Sequence, residues 1–208
     1  FMDYYSRQIK AMANPPALVP VAGEKNHLRY LPLGVGAIIP PWNFPLAIMA
    51  GMSTAALISG NTIVLKPASP TPGIAQMWVG LPKNVLNLVQ GPGPTVGATM
   101  VEHRLTRFIS FTGSRAVGLE IFEKSAKTQP GQIWMKRLVA EMGGKDGMLI
   151  DNDCDLDAAV DAVLAAAFGF QGQKCSACSR AMLHQDIYDA FVAKLIPQVE
   201  AIQQRHQS

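Results

Sequence analysis

Residues 34–67 read GVGAIIPPWNFPLAIMAGMSTAALISGNTIVLKP, and this stretch decides the fold. Gly34–Ile39 is a short apolar run with β-forming residues. Pro40, Pro41 and Pro45 end it. Leu46–Ser59 has helical length and small residues, and Asn61–Lys66 is a second buried-strand pattern. A strand, a helix and a strand in succession form a βαβ unit, whose strands pair in parallel.

The same beat continues outward. Thr71–Val79 is helical and Val85–Val89 is a strand, followed by the turn Gly91-Pro92-Gly93-Pro94. Thr95–Glu102 is a short helix, Thr106–Phe111 a strand and Ser114–Ala126 a helix. Leu138–Glu141 is a strand that ends at Gly143-Gly144. Residues 34–145 therefore read as a Rossmann-like α/β domain with a parallel sheet. Residues 146–208 read as the start of a second α/β domain. There Met148–Ile150 is a strand, Asp151–Asp155 an acidic turn, and Leu156, Ala159, Val160, Val163, Leu164, Ala167 and Phe168 fall at helical spacing. Gly169–Lys174 is a loop leading to Cys175. At the other end, residues 1–17 hold a helix broken by Asn14-Pro15-Pro16. Residues 18–33 alternate around Gly23-Glu24-Lys25-Asn26 and read as a hairpin whose edges offer a pairing surface to another subunit.

Composition narrows the class. Of 208 residues, 49% are hydrophobic and 16% charged, which excludes intrinsic disorder. Three cysteines are too few for a disulfide scaffold. Leu46–Ile58 is interrupted by Gly51, Ser53 and Thr54 and is too short to span a bilayer. No stretch has the order of a signal peptide. A net charge of +3 without basic runs gives no expectation of nucleic acid or membrane partners. A cytoplasmic protein, or a mitochondrial-matrix one in a eukaryote, is the expectation. The first residue is Phe1 and the last stretch, Val199–Ser208, is polar and helical, which reads as a piece of a longer protein.

Parallel sheets bind ligands at the carboxyl ends of their strands, so the residues just after each strand carry the interest. Asn43, held between prolines, is either an oxyanion donor or a plain helix cap. Lys66 is either a ribose or phosphate contact or a solvated lysine. Gly113, Ser114 and Gly118 suit a pyrophosphate at a helix start, or form a bare glycine turn. Gly91-Pro92-Gly93 with Gly97 misses G-x-G-x-x-G spacing by one residue. Glu141, among apolar neighbours, is either a general base or an ion-paired carboxylate. Cys175, beside Lys174 in a glycine loop, is either a nucleophile or an inert thiol. With Cys178 it makes C-x-x-C, so a redox pair or half a zinc site are rivals. His27, His103, His184 and His206 are scattered, and no metal site is expected.

Taken together in chain order, Pro41-Trp42-Asn43-Phe44-Pro45, Leu65-Lys66-Pro67-Ala68, Phe111-Thr112-Gly113-Ser114, Glu141-Met142-Gly143-Gly144-Lys145 and Gly172-Gln173-Lys174-Cys175 resemble the aldehyde dehydrogenase superfamily. Within it, Lys127–Gln132 and Phe168–Ala177 resemble the branch that oxidises 1-pyrroline-5-carboxylate, as glutamate γ-semialdehyde, to glutamate in proline breakdown. The resemblance implies an NAD-dependent enzyme, with NADP the alternative, acting on a small-molecule aldehyde. It implies Cys175 as nucleophile, Asn43 as oxyanion donor and Glu141 as base. Lys66, Trp42, Pro41, Gly113, Ser114, Gly118 and Gly143 are the implied cofactor contacts. Residues 18–33 resemble the family's oligomerisation element, implying a homo-oligomer.

The sequence also departs from the family pattern. The later Glu-x-Phe segment, a C-terminal substrate loop and the first part of the cofactor domain are missing. The helix after Lys66 runs from Gln76 almost directly into Leu81-Pro82, and Met142 stands where Leu is usual. Ser69 stands near where an acidic residue often excludes the 2′-phosphate. Two readings follow: part of an active dehydrogenase, or a truncated fragment that binds nucleotide weakly at most. A polypeptide mass well above 22.4 kDa favours the first.

Overall fold

The computed structural model describes residues 1–80 and 84–202. The chain divides into two compact units, Phe1–Met142 and Gly143–Ser208.

The first unit is built on a five-stranded parallel sheet. Its strands are β1 (Val35–Ile39), β2 (Thr62–Leu65), β3 (Leu86–Leu88), β4 (Thr106–Thr112) and β5 (Arg137–Glu141). Its helices are α1 (Met2–Met12), α2 (Ala47–Ile58), α3 (Pro72–Trp78), α4 (Ala98–Glu102) and α5 (Arg115–Ala126). The strand order is β3-β2-β1-β4-β5. The chain steps outward from β1 to β3, then returns to place β4 on the other side of β1. The connections leaving β1 and β4 part in opposite directions, and a crevice opens at their carboxyl ends.

Both faces of the central strands are covered. Successive side chains in a strand point to opposite faces. Ile38, Ile63 and Leu65 therefore pack with Met49 and Ala56 of α2 and Ala75 of α3. Ala37, Ile109 and Phe111 pack on the opposite face with Met100 and Val101 of α4 and Ile121 of α5. Two-sided burial is why these strands read as apolar runs and not as alternating ones.

Two local devices fix β1. Asn61 is buried, and its Oδ1 accepts the N–H groups of Leu33 and Gly34 at 2.7 and 3.0 Å, while its Nδ2 donates to Ala56 O at 3.1 Å. Gly36 lies under the Phe108 ring of β4, and a Cβ there would stand 2.1 Å from it.

The second unit holds β6 (Asp146–Ile150), α6 (Leu156–Phe168), β7 (Cys178–Leu183) and α7 (Tyr188–Glu200). β6 and β7 pair in parallel, and Ile150, Val160, Val163 and Phe191 form the core. The acidic turn before α6 is its cap: Asp155 Oδ1 accepts from the N–H groups of Asp157 and Ala158 at 3.0 and 3.1 Å.

The structure differs from the sequence reading in two places, and a third lies partly outside the described residues. The strands expected in residues 18–33 do not form: the chain turns at Val21–Glu24, but no ladder joins the arms. Pro20 and Pro32 lack an N–H, and a two-stranded ribbon is marginal by itself. β7 and α7 go beyond the sequence reading; β7 is mostly exposed. The short junction at Gln76–Leu81 is seen only to Gly80, because Leu81–Lys83 lie outside the described residues, as do 203–208 of the C-terminal stretch. Among the described residues, no helix is long and apolar enough to cross a membrane.

Gly36→Ala forces the Phe108 ring aside and is expected to cost about 1–3 kcal/mol in urea unfolding. Gly36→Ala combined with Phe108→Leu should recover part of that loss, because the pair shares one clash.

Candidate active site

The carboxyl ends of the strands gather most of the candidate residues of the first unit. After β1 the chain enters Pro40-Pro41-Trp42-Asn43, with Pro41 and Asn43 partly buried and Trp42 exposed. The Asn43 Oδ1 accepts the N–H of Phe44 at 3.1 Å, which shapes the turn into α2. β4 runs through Thr112 into Gly113 and Ser114. Ser114 is the N-cap of α5, its Oγ accepting the Val117 N–H at 3.3 Å. Glu141, the last residue of β5, pairs with Thr112, and the Gly113 N–H donates to its carbonyl at 3.0 Å. The Ser114 turn thus stands between the Asn43 loop and Glu141 along the sheet edge.

Glu141 corrects one expectation. Its neighbours Ala140 and Met142 do pack in the apolar core between the sheet and α5. Strand alternation turns Glu141 to the opposite face, where it is exposed and not enclosed among apolar groups.

Lys66, just past β2, is almost fully buried at 5% exposure. Its Nζ donates to Pro67 O at 3.2 Å, and burial holds its pKa below the usual lysine value. It forms the floor of a cleft of about 130 Å³ between α4 and α5. The walls are apolar, with Ile39, Val101, Val117 and Ile121, and the rim carries Glu120 and Lys124. One end is the turn Gly93–Gly97, a single π-helical turn leading into α4. Gly97 approaches the lysine closely: a Cβ there would touch Lys66 Cδ at 3.8 Å.

The glycines after β4 serve packing. A Cβ on Gly118 would lie 2.7 Å from Met142 Sδ, and one on Gly113 2.6 Å from the Phe111 ring. Gly118 is on the buried face of α5. Its smallness allows α5 to lie close on β4 and β5.

In the second unit, Cys175 is exposed in a turn just before β7. The chain reaches it through Phe170, Gln171 and Gly172, whose φ values of 55, 57 and 68° are left-handed. Backbone bonds from Gln173 N to Phe170 O, Lys174 N to Gly172 O and Ala177 N to Lys174 O hold the loop at 3.0, 2.8 and 3.2 Å. Gly144 passes so close that a Cβ would stand 2.3 Å from Cys175 O, while Gly143 has open space around it. Cys178 is a free thiol that begins β7 and donates to Arg180 O at 3.5 Å.

Gly93, Gly97, Glu120 and Lys124 escaped the sequence reading as site residues. The first two miss the dinucleotide fingerprint but stand four apart, the spacing of one helix face. The two charged residues, also four apart on α5, look like any exposed ion pair.

The model of the aldehyde dehydrogenase family matches residues 1–208. A 1-pyrroline-5-carboxylate dehydrogenase of Bacillus cereus is 55% identical over 202 residues, covering 94% of this chain and 39% of the relative. A Thermus 1-pyrroline-5-carboxylate dehydrogenase with bound NAD superposes with a TM-score of 0.88 at 42% identity, over 96% of this chain and 40% of that one. Proline utilization A from Bdellovibrio bacteriovorus gives 0.85 at 46% identity, over 96% and 22%. The chain therefore spans about 39% of the length of the curated relative it matches. With the motifs in order, the sheet in place and a match across residues 1–208, the chain belongs to the aldehyde dehydrogenase family.

Proposed function

We propose that the chain carries the dinucleotide site and the nucleophile of an NAD-dependent dehydrogenase that oxidises an aldehyde to a carboxylic acid. The carrying observation is the sheet edge itself: Asn43, Lys66, Ser114 and Glu141 all follow or end strands of one parallel sheet at its carboxyl side. The substrate we infer is glutamate γ-semialdehyde, the open form of 1-pyrroline-5-carboxylate. The names of the relatives at 55 and 42% identity support this choice.

The residues present fit a dinucleotide. The apolar cleft between α4 and α5 suits a flat base, and the Lys66 ammonium at its floor suits ribose hydroxyls. The N-terminus of α5 lies at the switch between β1 and β4, where a pyrophosphate is stabilised by N–H groups and the helix dipole. Pro41, Trp42 and Gly143 are the further contacts we assign. When bound, NAD supplies the hydride acceptor.

Cys175, as thiolate, attacks the aldehyde carbon, and a thiohemiacetal forms. The Asn43 carboxamide and the Cys175 N–H hold the oxyanion; each such donor is worth roughly 10²–10³ in kcat. Loss of hydride leaves a thioester on Cys175. Glu141 takes a proton from water as the water attacks that thioester, and the acid leaves with release of the thiolate. The exposure of Glu141 keeps it in reach of water. The exposed apolar residues along 18–33, including Val19 and Leu31, support pairing with another subunit. Bacterial relatives and free thiols support a cytoplasmic setting.

The covered share of the relatives favours a second reading, in which these 208 residues bind nucleotide without turnover. NADH formation from 1-pyrroline-5-carboxylate and NAD separates the two. Turnover that is abolished in Cys175→Ser and mildly changed in Cys178→Ser supports the dehydrogenase. No turnover, with nucleotide still bound, leaves the second reading. In an active protein, Asn43→Ala should lower kcat roughly 10²–10³-fold.

Lys66 supports a separate test. Burial lowers its folded pKa below that of the unfolded chain, so the unfolded state holds the proton to higher pH. Stability therefore rises as pH climbs from the folded pKa toward the ordinary lysine value of 10.5, and the cost of the buried charge is full at neutral pH. Lys66→Met should melt higher than the parent near neutral pH, with the gap narrowing as pH rises, while binding NAD more weakly. Weakened binding in a more stable protein assigns Lys66 to the ligand.

A further inference from the structure

The cleft between α4 and α5 has a polar rim that its proposed occupant does not yet explain. Four wall residues, Ile39, Val101, Val117 and Ile121, offer a base surface but no hydrogen bond from their side chains. The charged groups are Lys66 at the floor and Glu120 and Lys124 at the rim. Lys66 is already bonded to Pro67 O. Lys124 is shared: its Nζ donates to Glu120 Oε1 at 2.6 Å and stands 3.8 Å from Glu102 Oε1 on α4. Lys124 thus ties α5 to α4 across the rim, and it holds the Glu120 carboxylate in one place. The second oxygen of that carboxylate, Oε2, has no partner among the described residues.

We propose that Glu120 reads the base of the bound dinucleotide by accepting a hydrogen bond from its exocyclic amino group. This rests on the reading of the cleft as the base end of a dinucleotide site. The six-position of adenine carries an N–H₂ donor, whereas a six-keto purine presents an oxygen acceptor there. A carboxylate oxygen attracts the first and repels the second. Because Lys124 has already fixed the side chain, little rotamer freedom remains to be lost on binding. Glu120 is thereby a specificity-determining residue and takes no part in the chemistry at Cys175.

The test uses two dinucleotides that differ at the purine six-position and at the adjoining N1, which carries a proton in the six-keto base: NAD and nicotinamide hypoxanthine dinucleotide. Each is titrated calorimetrically into the 208-residue chain. The parent should bind NAD roughly three- to tenfold more tightly, the range of a single partly exposed hydrogen bond. Glu120→Leu should abolish the preference, and Glu120→Gln, which keeps an acceptor oxygen, should retain part of it. The side chain of Glu120 is 55% exposed, so both variants should fold, and circular dichroism checks this. Equal binding of the two dinucleotides by the parent, or an undiminished preference in Glu120→Leu, overturns the inference and leaves the cleft a nucleotide site. Failure of both dinucleotides to bind overturns the inference together with the reading of the cleft.

Discussion

Asn61 joins three pieces of chain that would otherwise be free to slide. Its side chain receives the backbone N–H groups at the entrance to β1 and donates to the carbonyl of Ala56 in the last turn of α2. A buried carboxamide left unpaired costs about 1–3 kcal/mol, so these bonds select one register of β1 against β2. In that register Val35 stands opposite Thr62 and Ile38 opposite Leu65. The Lys66 N–H then donates to Ile38 O at 2.9 Å, which places Lys66 level with the end of β1. A slip of one residue would turn Lys66 to the other face and remove the floor of the cleft.

The other side of β1 is set by contact and not by a polar clamp. Gly36 lets the Phe108 ring lie flat on the strand, and the pairing with β4 shifts register between Val35 and Gly36. Gly118 then admits α5 close against Met142 and Phe111. Three absences of a Cβ, at Gly36, Gly113 and Gly118, thus bring β4, β5 and α5 near enough for a crevice to form at β1 and β4.

Much of this was legible in the sequence, because two-sided burial writes itself as apolar runs between turns. The residues just after the runs were therefore the right places to look. Strand order was not legible: nothing local to Thr106–Phe111 says that it lies beside β1 and not beside β3. The cleft depends on that order, so Gly97, Glu120 and Lys124 had no reason to be grouped. Residues 18–33 failed in the opposite direction. Alternation there is real, but Val19 and Leu31 remain 84 and 79% exposed without a partner strand. Alternation signals a face that can be buried, not one that is. The surroundings of Glu141 differ from the apolar ones expected for a related reason, since neighbours in sequence lie on the other face of a strand.

The three cysteines show how environment, more than motif, separates their capacities. Cys154 packs on the core of the second unit beside Ile150 and Val160. Cys178 is engaged with Arg180 O at the start of β7. Cys175 alone of the three is exposed. It owes that position to Phe170 and Gln171, two non-glycine residues in left-handed conformation, each costing on the order of 1–3 kcal/mol. A regular strand entry would avoid this strain, yet the loop is closed by backbone bonds and by Gly144 pressed on the Cys175 carbonyl. Fixing the peptide around a thiol while leaving the thiol in reach of solvent is what attack on a carbonyl carbon requires. An inert cysteine gains nothing from it. Exposure and close backbone approach meet at Cys175, and strain lies in the loop that leads to it, which supports the proposed nucleophile more than the C-x-x-C spacing supports a redox pair.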